Sequence, residues 1–171
     1  MHHSSMAIMK AFVERYLNQA DILNIYDVGS MSKGGFGTYK TLFDKDKWVY
    51  IGLDVAEGPN VDHVLKSEYE WDIDSECADV VISGQCLEHV EYFWLTAMEM
   101  ARILKPEGLL CLIVPSAGRE HRYPVDCWRF LPDGLNALAR YAGLKVLKCE
   151  TPANADNKWK DCLLIAKKQK E

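Results

Sequence analysis

No apolar stretch in this sequence approaches the ~20 residues that a membrane-spanning helix needs, and the N-terminus lacks the basic-then-apolar pattern of a secretory signal. A cytoplasmic location is the expectation. Net positive charge is missing as well: 20 Lys and Arg stand against 25 Asp and Glu, a formal charge of −5. Nothing draws the chain as a whole to nucleic acid or to an anionic surface, so nucleic acid is an unfavoured partner. The one basic cluster, Lys167, Lys168 and Lys170, reads as a solvated tail. The six cysteines, Cys77, Cys86, Cys111, Cys127, Cys149 and Cys162, form no CxxC pair and have no histidine at ligand spacing. They read as reduced, mostly buried thiols rather than a disulfide framework, and no metal site is expected. His2 and His3 carry no weight as ligands, because "MHHSSM" reads as a tag remnant. Internal repeats, low-complexity segments and linkers are absent too. With 171 residues and 49% hydrophobic content the chain can bury one core but not two, so a single domain spanning 1–171 is expected, with 1–5 set aside.

What is present is an alternation of helical and extended patterns. Ile8, Met9, Phe12, Val13, Tyr16 and Leu17 recur at intervals of three and four, predicting an amphipathic helix over 6–20. "ILNIYDVGS" reads as a buried strand that ends in turn chemistry, with a short helix expected over 38–43. "WVYIGLD" is a second strand, "VDHVLKS" a weaker third, and "ADVVISG" a fourth whose β-branched run suits burial on both faces. A helix is predicted over 91–104, with Phe93, Leu95, Met98, Ala101, Ile103 and Leu104 on its apolar side and Pro106 beyond its end. "GLLCLIVPS" is the fifth strand, "PDGLNALARYAG" a helix with Pro132 near its start and Gly143 past its end, and "LKVLKCE" and "DCLLIAKK" the last two strands. The fold class that follows is α/β: a Rossmann-like, doubly wound, seven-stranded, mostly parallel sheet with helices on both faces. No helix separates the last two strands, which predicts a terminal antiparallel strand.

In such a sheet ligands lie beyond the carboxyl ends of the strands, where strand order reverses. The first strand ends in "DVGSMSKGGFG", which has four glycines in nine residues yet does not spell GxGxxG, since Met31 and Lys33 occupy the expected glycine positions. The second ends in Asp54, 25 residues after Gly29 and suited to accept both hydroxyls of a ribose. A plain tight turn would explain Gly29, and a turn carboxylate Asp54; their coincidence at this separation favours a nucleotide-type site.

Read in order, "DVGS", "YIGLD", "ADVVISGQCLEHV", "RILKPEGLLCLIVPS" and "YAGLKVLKCE" resemble the class I S-adenosylmethionine-dependent methyltransferases, in particular the type 11 family. "LEHV" followed about 15 residues later by "LKPEG" is the most specific pair, and "GPNVD" and "HRYPVDCWRFLPDGL" look like one subgroup of that family. The resemblance covers about 24–168 and implies S-adenosyl-L-methionine as cofactor. It implies that Asp27 and Gly29, with Ser30 and Met31, hold the methionyl end, that Asp54 binds the ribose and that Val55 packs on adenine. Ser67 and Glu68 stand where the family often has the acid that meets the adenine amino group. Gly84 and Gln85 match the segment bordering the cofactor, and Glu88 and His89 match the family's "EH", lining the pocket or capping the next helix.

On the acceptor side, the loop "REHRYPVDCWRF" leaves the fifth strand at the functional end of the sheet and offers His121, Tyr123, Asp126, Trp128, Arg119, Arg122 and Arg129. His121 and Asp126 are the candidate catalytic residues, His121 as a base or acceptor contact, against a purely structural lid in which Trp128 and Phe130 anchor and Asp126 pairs with Arg129. The acceptor expected is a small molecule or a sugar-like, glycan-related compound, and a homodimer could complete its pocket. Two other readings stay open: a non-catalytic relative serving as a partner module, motivated by the missing glycines, and a nicotinamide-dependent oxidoreductase, disfavoured by the absence of GxGxxG and of a YxxxK pair.

Overall fold

A computed structural model describes residues 3–32, 37–152 and 158–170. Its strands are β1 (Leu23–Val28), β2 (Trp48–Asp54), β3 (His63–Val64), β4 (Ala78–Gly84), β5 (Leu104–Pro115), β6 (Leu144–Glu150) and β7 (Asp161–Lys168). The helices are α1 (His3–Tyr16), α2 (Phe93–Ile103) and α3 (Pro132–Tyr141), with short 3-10 turns at Tyr39–Leu42 and Leu87–His89. All strands join one sheet in the order β3-β2-β1-β4-β5-β7-β6. Neighbours from β3 to β5 are parallel, and β7 runs antiparallel to both β5 and β6. The predicted α/β sheet with a closing antiparallel strand is therefore observed, with that strand inserted between β5 and β6.

The two-residue period of the strands divides the core into two layers. Ile25, Val80, Ile82, Cys111, Ile113, Leu163 and Ile165 face one side, where Met9 and Phe12 of α1 cover them together with Tyr39 and Phe43. Val81, Leu110, Leu112, Leu164 and Ala166 face the other, beneath Ala97 and Met100 of α2 and Leu135 and Leu138 of α3. α3 begins with Pro132 in its first turn and is followed by Gly143 at φ +70°, as its sequence pattern predicts. No helix among the described residues is long and apolar enough to cross a membrane.

Several expectations need correction. The helix read over 91–104 is Phe93–Ile103, and its buried face is Thr96, Ala97, Met100, Ala101 and Ile103. Leu95 and Met98 are exposed, because the small side chains Ala97 and Ala101 rather than the bulky ones let the helix approach the sheet. β5 starts at Leu104, four residues earlier than predicted, since Leu104 pairs with Ala78 before an irregularity around Glu107 at φ +68°. The third strand shrinks to His63–Val64, and the short helix after the glycines is a single 3-10 turn. Ser4 and Ser5, set aside from the domain in the sequence, lie within α1: Ser5 is fully buried with its hydroxyl against that of Tyr39, and the Ser4 hydroxyl donates to Asp161 at 2.7 Å.

Tyr39 also leaves room for only a hydrogen at Gly84, where an added Cβ would stand 2.0 Å from the Tyr39 hydroxyl. Since Tyr39 is wedged between α1 and the end of β4, Gly84→Ala is expected to destabilise the fold by about 1 to 3 kcal/mol through overpacking. Chemical denaturation of the two chains measures this, and an unchanged midpoint would mean that Tyr39 yields.

Candidate functional site

β1 and β4 are neighbours, and the chain proceeds from them in opposite directions across the sheet, which opens a crevice beyond their carboxyl ends. The loop after β1 enters it through Gly29, at φ +76°, a conformation that favours glycine. An added Cβ there would stand 2.4 Å from Cys86 Sγ. The backbone N–H groups of Gly29 and Ser30 both donate to Leu53 O, at 2.9 and 3.0 Å. From there the loop is fastened to the turn Gly58–Asn60 that follows β2. Ser30 Oγ donates to Asn60 O and Asn60 Nδ2 donates to Ser30 O, each at 2.9 Å, while the Ser32 N–H donates to Pro59 O at 2.9 Å. "GPNVD" thus acts as the dock for a loop that lacks the usual glycines. Lys33, Gly34, Gly35 and Phe36 lie outside the described residues.

Two carboxylates stand on either side of this loop. Asp54, half-buried at the end of β2, accepts the Met31 N–H at 3.1 Å on Oδ2 and the Ala56 N–H at 3.2 Å on Oδ1. A carboxylate has about four lone-pair sites, so two remain for a ligand. Val55 follows it with 44% of its surface exposed, a sizeable apolar side chain at the rim. Asp27 is only 3% exposed and accepts from the Tyr50 hydroxyl, which in turn accepts from Asn60 Nδ2 at 3.1 Å. Burial raises the Asp27 carboxyl to about 7, against the lowering effect of the Tyr50 hydrogen bond and with a further upward push from Asp54. Ser67 and Glu68 come next along the rim, where Leu65 N donates to Asp54 O at 2.8 Å. Ser67 Oγ accepts the Tyr69 N–H at 3.1 Å, and the exposed Glu68 offers its backbone carbonyl to Trp71 and Thr96.

At the end of β4, Gly84 backs onto Tyr39, and Gln85 takes φ +59° with its Nε2 donating to the buried Asp161 at 3.0 Å. The 3-10 turn then carries Glu88 and His89. Glu88 is completely buried, neither carboxylate oxygen has a hydrogen-bond partner, and desolvation raises its carboxyl to about 8. His89 Nδ1 lies 2.6 Å from Val125 O, and burial lowers the basicity of its ring. The contacts of His89 are with the loop after β5: its ring meets those of His121 and Tyr123 edge-on, at 4.8 and 5.7 Å between centroids.

That loop is tied down at several points. Cys127 N donates to Glu88 O at 2.7 Å and Phe130 N to Pro115 O at 2.9 Å, while Trp128 packs against Phe93 and donates its indole N–H to Val90 O at 3.0 Å. The side chain of Asp126 is 2% exposed. It accepts from Arg129 at 2.6 and 2.9 Å and from the His121 N–H at 2.6 Å, and the Arg129 guanidinium holds its carboxyl far below the usual carboxylate range. In this setting Asp126 positions the loop. His121 remains partly exposed, with its Nδ1 3.4 Å from Asp126 Oδ2 and its ring 4.6 Å from that of Trp159. Sequence reasoning passed over Tyr50, Asn60 and Trp159. Asn60 carries the one available signal, an asparagine in a Gly-Pro-Asn turn, where it adopts φ +72°.

The geometry can be set beside known proteins. Residues 36–112 match the model of a methyltransferase domain family, type 11. The match begins downstream of Asp27 to Ser32, the segment where the glycine pattern departs. No curated protein matches the chain in sequence. Among solved structures, a 1,6-didemethyltoxoflavin N1-methyltransferase from Burkholderia thailandensis, with 1,6-didemethyltoxoflavin and S-adenosylhomocysteine bound, is 18% identical with a TM-score of 0.70 over 98% of this chain and 78% of its own. An S-adenosylmethionine-dependent methyltransferase from Methanosarcina mazei is 14% identical with a TM-score of 0.69, covering 94% and 98%. The [4+2]-cyclase SpnF is 15% identical with a TM-score of 0.72, covering 97% and 82%. At these identities the likeness concerns the fold, and it is the same fold in each. The matched segment, 36–112, and the inserted β7 agree: this chain has the fold of these S-adenosylmethionine-dependent methyltransferase structures, and its segment 36–112 is similar to the type 11 methyltransferase domain.

Proposed function

We propose that this protein is an S-adenosylmethionine-dependent methyltransferase acting on a small-molecule or sugar-like acceptor. The observation that carries the reading is the meeting, at the β1–β4 switch point, of a positive-φ glycine with a half-buried acid at the end of β2 and an exposed apolar side chain just beyond it. The fit to the cofactor is good on these residues: Asp54 keeps acceptor capacity for ribose hydroxyls, Val55 offers an apolar surface for adenine, and Gly29 lets the backbone approach closely. When bound, the cofactor supplies a methyl group on a sulfonium centre, already activated for transfer.

The chain's own task is then to align an acceptor and exclude water. Ser30 and Met31 border the methionyl end, Asp27 braces their loop through Tyr50 and Asn60, and Ser67 and Glu68 lie on the adenine side. Gly84 and Gln85 form the floor. On the acceptor side His121 contacts the acceptor or takes its proton, with Asp126 positioning it and His89 packed against its ring. Arg119 adds cationic character at the loop, which suits a polar acceptor, while Arg122 pairs with Glu120 at 2.7 Å.

Three measurements bear on this. In calorimetric titration S-adenosylhomocysteine should bind and NAD should not. Asp54→Ala should weaken that binding about tenfold or more, the scale of losing hydrogen bonds to a charged group. Binding of NAD alone would move the chain to the oxidoreductases, and binding of neither would favour the non-catalytic partner module. His121→Ala should lower turnover with S-adenosylhomocysteine affinity unchanged; full turnover on the true acceptor would remove His121 from the mechanism.

Asp27 gives a pH test. Its carboxyl, near 3.8 when unfolded and about 7 when buried, holds a proton more tightly in the folded state. Its contribution therefore favours the folded chain below pH 4 and is lost as pH rises from about 4 to 7, a change on the order of 4 kcal/mol at most. Asp27→Asn removes this dependence, so the variant should gain stability relative to the parent between pH 5 and pH 8. Urea denaturation at the two pH values reads the difference, and a constant gap would show that Asp27 ionises as easily folded as unfolded.

A further inference from the structure

Glu88 is the least explained polar group among the described residues. Its side chain is fully buried and neither carboxylate oxygen has a hydrogen-bond partner, a state that buried acids avoid unless something compensates the charge. The neighbouring groups indicate what that could be. His89 Nε2 lies 3.7 Å from Glu88 Oε1. The other nitrogen of that ring, Nδ1, lies 2.6 Å from Val125 O, so in the neutral imidazole the proton belongs on Nδ1 and the Nε2 lone pair turns toward Glu88. His121 approaches from the loop after β5, with its ring edge-on to that of His89. One ligand atom from each of Glu88, His89 and His121 can be chosen so that all lie within 4.8 Å of one another, the spread that a single ion can bridge after small adjustments.

We propose that Glu88, His89 and His121 form a binding site for a divalent transition-metal ion, with zinc the best match. Two imidazoles and one carboxylate are a zinc-type donor set, and three protein ligands leave a coordination position for water or a substrate oxygen. The outer groups have the form such sites require. The Val125 carbonyl orients His89, and Asp126 Oδ2 stands 3.4 Å from His121 Nδ1. Arg129, the nearby cation, is neutralised by its paired bonds to Asp126. The side chains of His89 and His121 are 12% and 22% exposed, so an ion has a way in although Glu88 is sealed. The sequence does not announce the site because its ligands come from a 3-10 turn after β4 and a loop after β5. Backbone bonds from Cys127 and Trp128 to Glu88 O bring the two together. In this arrangement His121 serves as a ligand rather than as the base proposed above, and its contact with an acceptor passes through the ion.

The test uses the full chain without cofactor, so its outcome does not depend on the methyltransferase reading. His2→Ser and His3→Ser remove the N-terminal imidazoles, and the protein is stripped with a chelator and titrated with zinc chloride in a calorimeter. The expected result is saturation at one zinc per chain, with affinity reduced at least tenfold in Glu88→Gln and in His121→Ala. The metal-free melting temperatures of both variants show whether each has kept its fold; His121, being partly exposed, is the safer of the two. Cobalt(II) in place of zinc should give the weak visible bands of nitrogen and oxygen ligation. Failure to saturate, equal affinity in the parent and a folded His121→Ala chain, or an intense near-ultraviolet thiolate band would each overturn the proposal.

Discussion

The seam between β1 and β4 is the constraint on which the other elements depend. Its register runs from Ile25 opposite Val80 to Val28 opposite Ser83, and it is closed at the carboxyl end by the buried Ser83 hydroxyl donating to Val28 O at 2.7 Å. A slip of one residue would turn Ile25 away from the α1 layer and Val28 away from the α2 layer, so both cores enforce the same pairing. From this seam the chain builds β2 and β3 to one side and β5, β7 and β6 to the other. The loops leaving β1 and β4 consequently part, and the groups they carry face a common crevice: Asp27 and Gly29 on one side, Gln85 to His89 on the other. The inserted β7 adds Asp161 to the same end of the sheet, where it accepts from both Ser4 of α1 and Gln85.

The crevice is held open here by an unusual division of labour. A loop with glycines at positions 31 and 33 could fold back on itself, whereas this chain has Met31 and Lys33. It satisfies its backbone polar groups across the crevice instead, with Leu53 O, the Asp54 carboxylate, Pro59 O and Asn60 as partners. The Met31 side chain also rests on the turn: an added Cβ at Gly58 would stand 2.6 Å from its sulfur. The chain Asp27, Tyr50, Asn60, Ser30 therefore links the first strand's acid to the loop it precedes. A buried carboxyl of raised pKa is tolerated because the Tyr50 hydroxyl meets it whether it is charged or neutral.

Local chemistry explains how much of this was legible in the sequence. "WVYIGLD", "ADVVISG", "LKVLKCE" and "DCLLIAKK" coincide residue for residue with β2, β4, β6 and β7, because apolar runs bounded by polar or glycine residues leave little freedom in placing a strand. α2 misled in phase: Leu95 and Met98 count as apolar by type, yet the helix turns its alanines to the sheet. Of the candidate site residues, Asp27, Gly29 and Asp54 were visible as strand-end chemistry. Asn60 and Tyr50 were not, since a turn asparagine and a strand tyrosine acquire meaning only when two loops meet. Glu88 was visible as part of "LEHV", but its complete burial without a partner depends on the loop 37 to 40 residues further on, Val125 to Trp128, that is tied to its turn.

Covering Glu88 also fixes which side chains the loop after β5 presents at the crevice. The segment 116–131 is fixed at its base by Pro115 O and at its far limb by Glu88 O, Val90 O and the aromatic contact of Trp128 with Phe93. Between these anchors stand His121, Arg122 and Tyr123, partly or largely exposed, with Trp159 behind His121. The other described residues are occupied by the sheet, its covering helices and their connections, and among them there is no inserted subdomain. On the proposed methyltransferase reading, discrimination among acceptors falls on a handful of side chains in one tethered loop and on the groups beneath it. On the proposed metal site, an ion held by Glu88, His89 and His121 would be better suited to polarise a small oxygen-bearing acceptor than to recognise a large one by shape.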